Sequence, residues 1–180
     1  MKKILAFSGS ISSDSINQQL ATVAAKLAHK SEAEVITIQD FPAPFYSSDA
    51  EKEIGVPVGI QQLIDKMATA DGFIFACPEY NGSTPAFFKN TIDWISRSER
   101  KVFGGKSLLL MSTSPGARGG LTVVTALEQL MPRWGAQLSG TFLLPNFYDN
   151  LQNGQLAEPF LAELSQKVQE LEEAMLVEIE

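Results

Sequence analysis

The sequence predicts an α/β protein built on a doubly wound parallel β-sheet. Three observations support this fold class. Short apolar runs recur without the polar alternation of a half-exposed strand, which is typical of strands covered on both faces. Stretches with helical periodicity separate these runs. Most connections are short, as expected when successive strands join one sheet through crossover helices.

Five apolar runs are the predicted strands. They are Ile4 to Ser8, Val35 to Ile38, Phe73 to Cys77, Leu108 to Ser112 and, more weakly, Leu138 to Leu144. Helical periodicity predicts five helices, at about 15 to 30, 58 to 70, 84 to 100, 118 to 134 and 157 to 178. The last is the clearest, because its apolar residues recur at spacings of three and four: Phe160, Leu164, Val168, Leu171 and Met175.

Two segments leave alternatives open. Phe87, Phe88, Ile92 and Trp94 lie at near-helical spacing in the helix from 84 to 100, which favours either a core or a subunit-interface role. Residues 39 to 57 form the one long connection, and their sequence is compatible with a lid over a ligand or with an edge crossover.

Length, charge and cysteine content restrict the class of protein. The 180 residues, 44% of them hydrophobic, predict a single domain spanning 1 to 180. Most of the net charge of −7 comes from the glutamates after residue 157, and no basic cluster suits nucleic acid. No apolar run approaches the roughly 18 to 20 residues of a membrane span. The single cysteine, Cys77, fits a reducing compartment and is predicted to be an inert buried thiol, so a soluble cytoplasmic protein is expected.

Three loops should meet where ligands bind in such a sheet, beyond the carboxyl ends of its strands. They are GSISSDSIN after the first strand, PEYNGSTP after the third and STSPGARGG after the fourth. Their Gly, Ser, Asn and Pro residues present hydroxyls and backbone N–H groups at helix N-termini. The loops therefore predict one composite site for a phosphate or another anion.

Several familiar motifs are absent from the sequence. Only Gly9 remains of a G-x-G-x-x-G dinucleotide fingerprint, and GGKS at 104 to 107 lacks the upstream glycine of a P-loop. One histidine and one cysteine provide no metal-ligand spacing, so no metal is expected. Ser10 does not lie in a G-x-S-x-G elbow, so hydrolase chemistry has no visible apparatus.

The three loops resemble those of the NADPH-dependent FMN reductase family, which includes quinone, chromate, azo and nitro reductases. GSISSDSIN is similar to the pattern GS-x-R-x-x-S-x-N, and PEYNGSTPAFFKNTID to PEYNGS-x-P-x-x-x-KN-x-x-D. SPGARGG is similar to SPG-x-x-GG. The resemblance covers residues 1 to about 144 and implies a flavodoxin-like sandwich with strand order 2-1-3-4-5.

The resemblance also implies a cofactor, a reaction and a site. FMN would carry the chemistry, with NADPH or NADH as co-substrate and a quinone or other small molecule as acceptor, so no catalytic side chain is expected. A homodimer or homotetramer is implied as well. The expected cofactor-binding residues are Ser10, Ser12, Ser15, Ile16, Asn17, Pro78, Glu79, Tyr80, Asn81, Ser114 and Gly116. Ser10, Ser15 and Asn17 would hold the phosphate, although a serine in the position of Ser15 is also a common N-cap.

One position departs from the family pattern. Ser12 stands where the pattern has arginine, and Arg118 in the third loop is a candidate substitute. Loss of a charge-assisted hydrogen bond, worth roughly 1.5 to 3 kcal/mol, would weaken FMN binding about ten- to a hundredfold. An alternative function is therefore a flavodoxin-like electron carrier or flavin-binding protein without nicotinamide turnover.

Overall fold

Five parallel strands form the central sheet of the protein, whose computed structural model describes residues 1–176. The strands are β1 (Lys2–Ser8), β2 (Ser31–Val35), β3 (Gly72–Ala76), β4 (Ser107–Thr113) and β5 (Gln137–Leu144). Their order is β2-β1-β3-β4-β5, as expected for a flavodoxin-like sheet. Four of the five lie within two residues of their predicted bounds.

Seven helices and one small hairpin complete the described residues. The helices are α1 (Ile16–Lys26), α2 (Ser48–Ile54), α3 (Val58–Ala68), α4 (Ala86–Ser98), α5 (Leu121–Leu130), α6 (Phe147–Asn150) and α7 (Phe160–Ala174). The hairpin pairs β6 (Leu151–Gln152) with β7 (Gln155–Leu156). Single turns of 3₁₀ helix occupy Ile38–Asp40 and Pro132–Trp134. Within residues 1–176 no helix combines the length and the apolar character needed to cross a membrane.

Two apolar layers cover the sheet because successive side chains of a strand point to opposite faces. Along β1, Ile4 and Ala6 pack with α1 and α7, whereas Leu5 and Phe7 pack with α3, α4 and α5. Both faces of the central strands are therefore buried, which explains their lack of polar alternation.

The second strand was wrongly predicted, at 35 to 38 instead of Ser31–Val35. β2 lies at the edge of the sheet, where β1 is its one neighbour among the described strands, and all five of its side chains are half-buried or exposed. An edge strand needs no continuous apolar run, so its sequence SEAEV carries no such signal. The apolar residues beyond it pack differently, with Ile38 buried in a 3₁₀ turn.

Three predicted helix ends also need correction. α1 ends at Lys26 rather than 30, because the backbone N–H groups of His29 and Lys30 donate to the buried Glu172 carboxylate at 3.5 and 2.7 Å. The helix predicted from 118 to 134 ends at Leu130, since Pro132 cannot donate the next helical hydrogen bond. α7 ends at Ala174, and residues 177 and 178 of its prediction lie outside the described residues.

The long connection from 39 to 57 is fastened to α4 and contains α2, which was not predicted. Asn90 donates to Pro44 O at 3.0 Å and accepts from Tyr46 N–H at 2.7 Å. Trp94 Nε1 donates to the same Pro44 carbonyl at 2.7 Å. Trp94, Phe88 and Ile92 are themselves buried, so most of the apolar surface of α4 packs into the core of its own chain.

Candidate functional site

A cleft of about 230 Å³ opens at the carboxyl ends of β1, β3 and β4, where the three motif loops meet. Its walls are Ser10, Ser12, Asp14, Ser15, Ile16, Asn17, Pro78, Glu79, Tyr80, Thr113, Ser114, Pro115 and Tyr148. Nine of the eleven predicted site residues are in this set. Asn81 and Gly116 are not, and four residues of the wall were not predicted: Asp14, Thr113, Pro115 and Tyr148.

A second cavity, of about 220 Å³, lies at the opposite end of the sheet between α3 and α4. Its lining is largely apolar and contains none of the motif residues. Lys106 is its half-buried cation, and burial lowers the pKa of this ammonium. Nζ of Lys106 donates to the carbonyls of Met67 and Ala68 at 3.0 Å each, so it closes the end of α3. The cleft at the motif loops is therefore the candidate site.

The serines of the first loop arrange its backbone. Ser10 Oγ accepts from Ser12 N–H at 3.1 Å, and Ser15 Oγ accepts from Gln18 N–H at 3.1 Å as the N-cap of α1. Because Ser15 satisfies the third N–H of the helix, the first two belong to Ile16 and Asn17, and neither finds an acceptor within residues 1–176. The loop thus presents two free N–H groups at the positive end of a helix dipole, a donor set that suits a phosphate.

Asn17 joins the first loop to the third. Its Nδ2 donates to Thr113 O at 3.0 Å, and its Oδ1 accepts from Thr113 N–H at 3.0 Å. Both residues are 1% exposed. The side chain is therefore committed largely to the backbone of β4, and the main-chain N–H, which has no acceptor within residues 1–176, is the group of Asn17 left for an anion.

The second loop is a tight turn. Tyr80 and Ser83 exchange two backbone hydrogen bonds, at 2.9 and 3.1 Å, around Asn81 and Gly82. Both central residues have positive φ, 52° and 74°, the geometry of a type I′ turn that Asn-Gly favours. Asn81 accordingly lies at the exposed tip of the turn, outside the cleft wall.

Glu79 connects the second loop to α5. Its Oε2 accepts from Val123 N–H at 3.2 Å in the first turn of that helix. Gly120, the N-cap residue, provides no side chain for this purpose. The carboxylate therefore caps α5 and interacts favourably with the helix dipole, while its residue also lines the cleft.

Two glycines shape the third loop. Gly119 and Gly120 have φ of 58° and 83°, and a Cβ on Gly120 would overlap Ser112 Oγ and lie 2.7 Å from Ser112 Cβ. The Ser112 hydroxyl is buried and donates to Cys77 O at 2.6 Å, which ties β4 to β3. The close approach of this loop to the sheet thus explains why its last two residues are glycine.

The third loop also positions α6. Asn146 N–H donates to Gly116 O at 3.0 Å, and Phe147 N–H donates to Ser114 O at 3.1 Å. These bonds bring Tyr148 to the cleft wall, although it lies far from the motif loops in the sequence. Gly116 therefore contributes through its carbonyl to the loop rather than to the cleft wall.

Comparison with known proteins decides the family. The family model for NADPH-dependent FMN reductases matches residues 2–149. The chain belongs to the NADPH-dependent FMN reductase family. This membership confirms the resemblance seen in the loops, the enzyme class and the pairing of FMN with NAD(P)H.

Individual FMN reductase relatives agree with this assignment. A quinone reductase of Escherichia coli (strain K12) is 33% identical over 133 residues, 72% of this chain and 69% of that protein. A 2-hydroxy-1,4-benzoquinone reductase of Burkholderia sp is 37% identical over 118 residues, 65% of this chain and 63% of that protein. The flavoenzyme FerB of Paracoccus denitrificans, an NAD(P)H:(acceptor) oxidoreductase, superposes with a TM-score of 0.80 over 97% of both chains. At 24% identity this last likeness shows the shared fold.

The cleft of this FMN reductase contains unusual charges for an anion site. Asp14 and Glu79 line it, and no lysine or arginine is among the described residues of its wall. Arg118 is exposed, donates to Thr122 Oγ1 at 3.1 Å and does not line the cleft. Cys77 follows β3 directly but is fully buried, and burial raises the pKa of its thiol, so it offers no thiolate for chemistry.

Proposed function

We propose that the enzyme binds FMN in the cleft formed by the three motif loops and passes electrons from NAD(P)H to a small quinone. The free N–H groups of Ile16 and Asn17 at the N-terminus of α1 carry this proposal, because they form a donor set suited to the flavin phosphate. The quinone reductase relatives support the acceptor class.

The chain's residues hold and enclose the cofactor in this proposal. The N–H groups of Ile16 and Asn17, with the hydroxyls of Ser10, Ser12 and Ser15, would bind the phosphate. Pro78, Glu79 and Tyr80 of the second loop and Ser114 and Pro115 of the third would line the cleft around the ring system. Asn81 and Gly116 would act indirectly, through the geometry of their turns.

FMN, when bound, supplies the hydride and electron transfer of the reaction, so the protein needs no acid or base of its own. The cleft of about 230 Å³ is smaller than the roughly 300 to 1,000 Å³ of sites that enclose a whole ligand, so part of a flavin would remain open to an acceptor. The half-exposed ring of Tyr80 and the exposed ring of Tyr148 border this opening. Successive binding of NAD(P)H and quinone at one open face is the reaction order that we propose.

A titration with FMN, followed by NAD(P)H oxidation with benzoquinone as acceptor, tests this function. Ser12 and Ser13 are adjacent and exposed, but only Ser12 lines the cleft. Ser12→Trp should therefore weaken FMN binding and slow quinone reduction at least about tenfold, since the indole competes for space with the flavin. Ser13→Trp is the matched control and should leave both unchanged.

The possible results separate the candidate functions. A protein that binds FMN but does not oxidise NAD(P)H with benzoquinone would be the flavodoxin-like carrier instead. A protein that binds no FMN, or two tryptophan variants that behave alike, would contradict the proposed site.

We further propose that residues 1–180 form one FMN-binding domain that assembles as a homodimer or homotetramer in the cytoplasm. The packing of α7 against the sheet supports the single domain. Exposed apolar side chains, including Phe45 and Tyr148, support association between copies. The buried Cys77 thiol is consistent with a reducing compartment. Sedimentation equilibrium would measure the assembly, and a monomer at micromolar concentration would contradict it.

A further inference from the structure

The phosphate end of the cleft carries a negative side chain and lacks a positive one. Asp14 lines the cleft immediately before Ser15, the N-cap of α1. The wall contains no lysine or arginine among its described residues, and the guanidinium of Arg118 is directed to Thr122. At this end of the cleft an entering phosphate therefore meets the carboxylate of Asp14 and only neutral donors, whereas the other carboxylate of the wall, Glu79, accepts from Val123 N–H.

Asp14 competes with a phosphate for the same attraction. The N-terminus of a helix is equivalent to roughly half a positive charge, and an acidic side chain beside it is stabilised. Asp14 is exposed, lines the cleft and lies two residues before Ile16, so its carboxylate adds a negative charge beside this helix end. A phosphate dianion would still bond the N–H groups of Ile16 and Asn17, but it would bind against the repulsion of Asp14.

A flavin whose ribityl chain ends in an uncharged hydroxyl would not be repelled by Asp14. Riboflavin, which lacks the phosphate, could use the same walls formed by Pro78, Tyr80 and Pro115. Its terminal hydroxyl can donate to a carboxylate such as Asp14, a contact that a phosphate dianion cannot make.

We propose, as a refinement that rests on the proposed flavin site, that Asp14 is a specificity-determining residue that reduces the preference for FMN over riboflavin. Both flavins are then ligands of the cleft. FMN should bind within about tenfold of riboflavin, because the gain from the helix N-terminus is largely offset by the carboxylate.

Quenching of flavin fluorescence measures the dissociation constants of FMN and riboflavin for wild type and variants. Asp14→Asn should tighten FMN about three- to tenfold and change riboflavin less than about twofold, since it removes one charge close to the phosphate. Asp65→Asn is the matched control, because Asp65 is an exposed aspartate on α3 that accepts from Gln61 and is not among the residues that line the cleft. It should change neither constant.

The dependence of FMN affinity on salt concentration provides a second test. Attraction between a cationic side chain and a phosphate weakens as salt rises, whereas repulsion from a carboxylate is screened. Wild-type affinity for FMN should therefore stay constant or increase between 20 and about 300 mM NaCl. Ser12→Arg, which adds a cation at the same end of the cleft, should tighten FMN and make its binding weaken with salt.

Two results would overturn the inference and leave the flavin site intact. One is a wild-type preference for FMN over riboflavin of a hundredfold or more. The other is an Asp14→Asn variant with unchanged FMN affinity. Failure of both flavins to bind would instead overturn the proposed function, and the inference with it.

Discussion

Replacing Asn17 by alanine should lower the free energy of unfolding by about 3 kcal/mol, because two backbone groups of Thr113 lose their partners. Each buried group left without a hydrogen bond costs roughly 1 to 3 kcal/mol, which sums to about 2 to 6 kcal/mol. Relaxation of the loop and entry of water should keep the loss in the lower half of this range. In the intact fold Asn17 and Thr113 are each 1% exposed, so water does not reach the bonded groups there.

Urea unfolding followed by circular dichroism measures this loss. With a denaturant slope of about 2 kcal/mol/M, the midpoint should fall by about 1.5 M. FMN affinity should fall in the same variant, because Asn17 positions the first loop against the third at the cleft.

Asn90→Ala is the matched control for this variant. Asn90 also makes two bonds to backbone groups, to Pro44 O and from Tyr46 N–H, but these bonds are only partly buried and Asn90 does not line the cleft. We expect a smaller destabilisation and a smaller effect on FMN affinity, because water can replace part-buried bonds. An unchanged urea midpoint for Asn17→Ala would refute the reasoning, because the Thr113 bonds would then contribute nothing to stability.

Two other predictions concern the loop glycines and an ion pair. Gly120→Ala should lower the free energy of unfolding by at least about 3 kcal/mol, because the added Cβ overlaps Ser112. Gly105 shares the positive φ but has open space around it, so Gly105→Ala should lower the same free energy by only about 1 to 2 kcal/mol. Equal urea midpoints for the two variants would contradict the overlap. The hydrogen bond from Arg97 holds the pKa of the Glu51 carboxyl below its ordinary value of 4.5, so this bond stabilises the fold above that pH and is lost as the carboxyl protonates. Glu51→Gln should accordingly lower the thermal midpoint at pH 7 and converge with wild type on acidification, and a constant difference across that range would contradict the assignment.

Much of the candidate site was visible in the sequence because loop chemistry is local. Asn81-Gly82 was not predicted as a turn, although its residue types favour type I′ and both residues have the positive φ that this turn requires. Ser15 before an apolar-periodic stretch predicts an N-cap, and its Oγ accepts from Gln18 N–H. Such signals depend on residues within a few positions of each other.

The elements that escaped prediction depend on neighbours distant in the chain. β2 is polar because it lies at the edge of the sheet, and a short sequence window does not show which strand will be at an edge. α2 has no buried residue, so its helical pattern does not include an apolar stripe. Tyr148 reaches the cleft only through the bonds between α6 and the third loop.

The sequence by itself determined the fold class, four of the five strands and the three loops that meet at one edge. These follow from residue periodicity and turn chemistry, which act over short distances. Only the tertiary structure decided that Asn17 is engaged with Thr113, 96 residues away, and that Glu79 caps α5, 44 residues away. The physical reason is that a hydrogen bond depends on which groups the packed sheet brings within about 3 Å, and sequence spacing does not specify that distance.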